Sequence, residues 1–168
     1  MPTVQPGRFT ASIEGPFIVF VVGMHINKWT ALRQWVPTFL AMLPMLRDLQ
    51  ARPASGFLGG QTYLHARGVA LVQYWRSFEQ LDAFARDPQK AHLPSWRRFN
   101  RLVSAGRAVG VFHETYLVAD GQHEEIYANM PPYGLAAATS SVPALGRRET
   151  AARRLGFHDE PAVPTPTA

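Results

Sequence analysis

Between Pro16 and Ile26 the chain reads PFIVFVVGMHI, a nearly continuous run of β-branched and aromatic residues. A run of this length is too short to span a bilayer as a helix, and its composition favours a buried core strand. The next segment has a different period. In NKWTALRQWVPTFLAMLPMLRDLQAR, Trp29, Leu32, Val36, Phe39 or Leu40, Leu43 and Leu46 recur at helical spacing, and Asn27 is placed to cap. Pro37 and Pro44 predict a bent helix or two pieces, with Pro37 near the first turn of the second.

Beyond Arg52-Pro53 and Ser55-Gly56, FLGGQTYLHARG and VALVQYWRS read as two strands joined at Ala66-Arg67-Gly68, a compact hairpin. Alternation puts Leu71, Gln73 and Trp75 on one face of the second strand, and Val72, Tyr74 and Arg76 on the other. Ser77 opens a second helix, with Glu79 and Gln80 suited to capping and Phe78, Leu81 and Phe84 forming its apolar stripe. Asp87-Pro88 interrupts the pattern, LPSWRRFNRLVSAG resumes it as far as Gly106, and AVGVFHETYLVADG (108–121) reads as a last strand.

The order is β-α-β-β-α-β. It predicts an α+β, ferredoxin-like domain with an antiparallel four-stranded sheet and both helices on one face. The other face needs a cover, and a second copy of the same sheet is the simplest one, so a homodimer is expected. The domain is expected to span residues 1–138, with its core at 16–121. Residues 122–138 then lie across a pocket mouth or the dimer seam, which makes Asn129 and Met130 candidate substrate contacts. From Thr139 to Ala168 the mixture of Ser, Pro, Ala and Arg reads as a flexible tail.

Composition narrows the function classes. With 168 residues, 46% of them hydrophobic, the chain is long enough to bury a core. The absence of cysteine removes disulfides, thiolate metal sites and a Cys nucleophile together. MPTVQPGRFTASIEG lacks the basic start and apolar stretch of a signal peptide, so the expectation is a soluble, cytoplasmic protein without a membrane partner. The net charge is +5, but most arginines are scattered, which argues against nucleic-acid binding. Clusters occur only at Trp96-Arg97-Arg98, Arg101 and the tail pairs Arg147-Arg148 and Arg153-Arg154, and the tail pairs could meet an acidic partner.

Two places could carry chemistry. His92, Trp96 and Asn100 recur at i, i+4 and i+8, so on a helix they line one face. A neutral imidazole there could move a proton or ligate iron, with Trp96 stacking on a flat substrate; the alternative is a capping histidine and a core tryptophan. His113-Glu114-Thr115-Tyr116 sits on the last strand, where His113 and Thr115 share one face while Glu114 and Tyr116 share the other. These residues cannot all meet one ligand. An acid–base role competes with a cross-strand hydrogen-bonded pair that serves the fold or the dimer. His25, His65, His123 and His158 have no ligand-like spacing and read as surface or strand-end residues. No G-x-S-x-G, P-loop or strand-linked G-x-G-x-x-G is present.

The segments FVVGMHINKW, GFLGG, VQYWRSFEQLDAFARDP, AHLPSWRRFN, VGVFHETYLV and EIYANMPPYGL, within residues 6–138, resemble the monooxygenase-like branch of the dimeric α+β barrel superfamily. That resemblance implies a small, largely apolar or aromatic substrate held between helices and sheet. In a cofactor-independent monooxygenase it would stack on Trp75 and Trp96, with Asn100, His92 or Tyr74 deprotonating or orienting it. The superfamily also contains haem proteins. That alternative implies haem b ligated by His92, or by His113 from the strand, with Arg97 or Arg98 on a propionate. A third reading is a binding module without catalysis. A Soret band marks the second reading, oxygen uptake the first, and neither the third.

Overall fold

The computed structural model describes residues 3–40, 56–86, 101 and 106–157. Its strands are β1 (Gln5–Ser12), β2 (Phe17–Ile26), β3 (Phe57–His65), β4 (Gly68–Trp75), β5 (Val109–Val118), β6 (Tyr127–Met130) and β7 (Ser140–Pro143). The helices are α1 (32–40), α2 (Phe78–Arg86), α3 (Gly134–Ala138) and α4 (Ala151–Arg154), with a 3-10 turn at Gly146–Arg148. The chain falls into two compact units, Ile18–Leu117 and Met1–Phe17 with Val118–Ala168.

The Ile18–Leu117 unit is built on a four-stranded sheet of order β3-β4-β2-β5. The apolar run predicted as a core strand is β2, which pairs antiparallel with β4 from Ile18↔Trp75 to His25↔Gly68. β3 pairs antiparallel with β4 around the two residues Ala66 and Arg67, where the hairpin was expected. Burial along β4 alternates strictly, with Val69, Leu71, Gln73 and Trp75 buried and their neighbours half-buried. Those buried residues share a face with Ile18, Met24 and Ile26 of β2. Trp35 and Phe39 of α1 pack against one end of this core, and Leu81 and Phe84 of α2 against the other. Burying each large apolar side chain contributes about 1.5–3 kcal/mol, which is what holds a strand-period face against a helix-period stripe.

α2 begins as its sequence indicates. The Ser77 hydroxyl accepts the Gln80 amide at 3.3 Å, and its hydrogen bond to Glu79 holds that exposed carboxyl below the usual range. α1 differs from expectation at its start. Asn27 does not cap it: its Nδ2 donates to the Arg107 carbonyl at 3.0 Å and its Oδ1 meets His25 Nδ1 at 2.9 Å. Asn27 instead ties the end of β2 to the approach of β5, and helical structure starts at residue 32. It runs through Pro37 without interruption as far as residue 40, and the buried Thr38 hydroxyl bonds back to the Gln34 carbonyl at 2.8 Å. Pro44, the end of this helix and the segment resuming after Asp87-Pro88 lie outside the described residues.

The second unit contains elements that strand periodicity did not indicate. β1 is the centre of a three-stranded sheet of order β6-β1-β7. It pairs antiparallel with β6 through Phe9↔Tyr127 and with β7 through Thr10↔Val142. The register shifts between Gln5 and Arg8, where Gly7 has φ 94° and Asn129 opposite has φ 51°. Both values lie in the left-handed region, which glycine and asparagine tolerate best. Residues 139–157, read from composition as flexible, here carry β7, the 3-10 turn and α4. They are held by backbone pairing to β1 and by the Thr150 hydroxyl, which caps α4 by accepting the Arg153 amide at 3.2 Å. Residues 158–168 lie outside the described residues.

Candidate functional site

β5 occupies one edge of the four-stranded sheet and carries the ionisable cluster. Its alternation is as predicted. Val109 joins the helix-packed core, and His113 lies on the same side, its ring 6.0 Å from that of Phe20. Phe112 faces the other way. A Cβ on Gly23 of β2 would meet its ring at 2.6 Å, so this close approach requires glycine there. Glu114 and Tyr116 share the Phe112 side, and the Tyr116 hydroxyl donates to Glu114 Oε2. That hydrogen bond, reinforced by the carboxylate charge, raises the Tyr116 pKa above the ordinary phenol value. His113, Glu114 and Tyr116 are all exposed. The histidine is therefore available on the helix side of the sheet, while the Glu–Tyr pair is a separate group on the opposite side.

The remaining predicted residues divide sharply. Trp75 is 0% exposed, packed among Ile18, Phe57, Leu81 and Phe84, and its indole N–H donates to Gln73 Oε1 at 3.0 Å. This corrects its assignment as a stacking platform, because neither ring face is open. Tyr74 points to the opposite face of β4, so one ligand could not contact both. Asn129 is also committed elsewhere. Its Oδ1 accepts the Gly7 amide at 2.8 Å, which fixes the irregularity between β1 and β6. Met130 pairs with Gln5 in the same sheet. Both belong to the second unit, whereas His113 belongs to the first. His92, Trp96, Arg97, Arg98 and Asn100 lie outside the described residues. Of the residues named for the haem reading, His113 is the one that is described, an exposed strand residue beside Phe20, and no step through haem is derived from it. No group of three or more His, Asp or Glu is arranged for a metal ion among the described residues.

A second polar concentration escaped the sequence reading. In the Met1–Phe17 and Val118–Ala168 unit, a cavity of about 430 Å³ is lined by β1, the segment before β6 and the arginine-bearing turn. His123 and Glu125, two residues apart, meet in its wall with Nδ1 and Oε2 3.1 Å apart. Glu125 is in turn oriented by the Ala11 amide at 3.0 Å and the Thr10 hydroxyl at 3.3 Å, while Phe17 packs edge-on against the imidazole. The i, i+2 spacing was the available signal. The strand that completes the group, β1, is more than a hundred residues away in sequence, so the spacing alone does not mark a site.

The Ile18–Leu117 unit thus has the strand order and helix cover of a ferredoxin-like α+β protein, with an accessible imidazole on its edge strand. The chain belongs to the monooxygenase af470-like family, whose sequence pattern matches residues 17–135. It is 27% identical over 154 residues to monooxygenase af470 of Aspergillus fumigatus, an alignment covering 79% of this chain and 54% of that one. The chain therefore spans about half the length of that relative. Among solved structures it is similar to a protein of unknown function from Bacteroides thetaiotaomicron described as a possible oxidoreductase. The identity there is 13%, the TM-score 0.36, and the match covers 62% of this chain and 99% of that one. It is also similar to a candidate antibiotic biosynthesis monooxygenase of Chloroflexus aurantiacus. Here the identity is 16%, the TM-score 0.33, and the coverage 63% and 97%. No helix among the described residues is long and apolar enough to cross a membrane.

Proposed function

We propose that this protein is a monooxygenase acting on a small, largely apolar or aromatic molecule with an acidic C–H or phenolic proton. The observation that carries the reading is the family match across 17–135, which includes the whole strand bearing His113. The chemistry requires a base and an apolar surface together. His113 offers an imidazole beside the Phe20 ring, on the side of the sheet packed by α1 and α2. In this scheme the imidazole takes a proton from an activated CH2 group of the substrate, and molecular oxygen adds to the resulting carbanion. Loss of water then leaves a carbonyl: one oxygen atom stays in the product, the other leaves as water, and the substrate supplies the electrons. Trp96 and Asn100 are candidates to stack on and orient the substrate.

The sheet face opposite the helices carries Val19, Val21, Val72, Tyr74 and Phe112, all half-buried in the single chain. This apolar strip supports the proposal that a second copy covers it, with Glu114 and Tyr116 at its margin.

The test is oxygen uptake by the purified protein with a panel of enolisable phenolic and polycyclic substrates, with product analysed under labelled oxygen. One labelled atom per turnover is expected, and His113→Ala should lower kcat about 10²–10⁴-fold while the melting temperature holds. Turnover unchanged in His113→Ala would remove the assigned base. A stoichiometric Soret band on adding hemin, absent from free hemin, would replace this reading by a haem enzyme.

A further inference from the structure

The polar cavity of the second unit has walls of two kinds. Part is already committed. Arg154, with only 6% of its side chain exposed, is paired with Glu124 and also donates to the carbonyls of Arg148, at 2.6 Å, and Glu149, at 3.1 Å. Arg153 faces Glu149 at 3.6 Å and donates to the Gly146 carbonyl at 3.2 Å. These contacts fold the 3-10 turn and α4 into a fixed rim. The other part is uncommitted. The side chains of Arg147 and Arg148, adjacent on that rim and exposed, have no partner among the described residues. His123 presents Nδ1 to Glu125, so its Nδ1 carries the proton and Nε2 is left without a partner among the described residues.

We propose that this cavity binds a small organic carboxylate. Four arginines against Glu124, Glu125 and Glu149 leave a surplus of positive charge, and two guanidinium forks with no protein acceptor match a carboxylate in geometry. A concave, partly desolvated wall strengthens that attraction over what the same arginines would give on an open surface. The apolar body is accommodated by Ile13 and by Leu145, which is 73% exposed at the cavity wall and gains by being covered. His123 Nε2 then accepts from any hydroxyl or N–H close to the carboxylate. The site lies entirely in the second unit and does not depend on the monooxygenase reading.

The experiment is an NMR titration of the 168-residue chain, following the His123 ring and Leu145 methyl signals with phenylacetate, inorganic phosphate and benzyl alcohol as probes. Phenylacetate should shift both signals saturably in the millimolar range, and benzyl alcohol should shift neither. The double substitution Arg147→Gln with Arg148→Gln, at side chains that hold nothing, should weaken phenylacetate about tenfold or more. Leu145→Ser should weaken phenylacetate severalfold and leave phosphate unaffected; it also provides the test if the arginine double variant does not fold. Three results would overturn the proposal: no saturable shift, equal binding by the double variant, or phosphate binding as tightly as phenylacetate.

Discussion

Replacing Trp75 with phenylalanine separates a core role for this residue from a role in stacking on substrate. Trp75 has no exposed surface, and its indole N–H satisfies Gln73 Oε1, itself buried, at 3.0 Å. Phenylalanine lacks the indole N–H and the outer part of the bicyclic ring. A residual void on the order of 40 Å³, at about 24 cal/mol per Å³, costs about 1 kcal/mol. The amide oxygen of Gln73 is then left unpaired in the core, which costs a further ~1–3 kcal/mol. The expected loss is therefore about 2–4 kcal/mol, read as a lower urea midpoint with an unchanged slope. Adding Gln73→Leu removes the stranded acceptor and should recover about 1 kcal/mol or more, because deleting both partners costs less than deleting one. A Trp75→Phe variant that unfolds within about 0.5 kcal/mol of the parent, or whose main defect is a raised KM at unchanged stability, would refute the core role.

Two further predictions concern the second unit. Glu125→Ala strands the buried Thr10 hydroxyl and the Ala11 amide and should cost about 2–4 kcal/mol, with hydrogen exchange accelerated first at Ala11. Exchange no faster at Ala11 than in the parent would show that the carboxylate does not hold β1. Burial raises the Tyr127 pKa above its ordinary 10.0, with hydrogen bonds from the Ala136 and Leu135 backbone acting in the opposite direction. The folded state therefore holds this proton more tightly than the unfolded chain. The stability it contributes is complete below about pH 10 and is lost as pH rises through the folded pKa. Tyrosinate absorbance and unfolding scans above pH 10 should show this loss, and Tyr127→Phe should reduce it.

The sequence alone determined the four-stranded sheet, because its signals are local. The period of two in VALVQYW, the β-branched run in PFIVFVVGMHI and the helical stripe opened by Ser77 each need only a few neighbouring residues to be read. The faces of β5 were legible for the same reason, and with them the separation of His113 from Glu114 and Tyr116. Trp75 was misread because an aromatic residue on a strand has the same local signature whether it lines a pocket or fills a core; only the packing of Phe57, Leu81 and Phe84 around it decides.

The second unit was decided by tertiary structure. β1, β6 and β7 are short or mixed in polarity, and their pairing joins residues 5–12 to residues 127–143, so no window of sequence contains the pattern. The same long-range pairing brings His123 and Glu125 to Thr10 and Ala11, and gathers two arginine pairs from a segment of unremarkable composition around one cavity. Strand periodicity is written residue by residue, whereas a cavity exists only once distant backbone segments have been hydrogen-bonded into register.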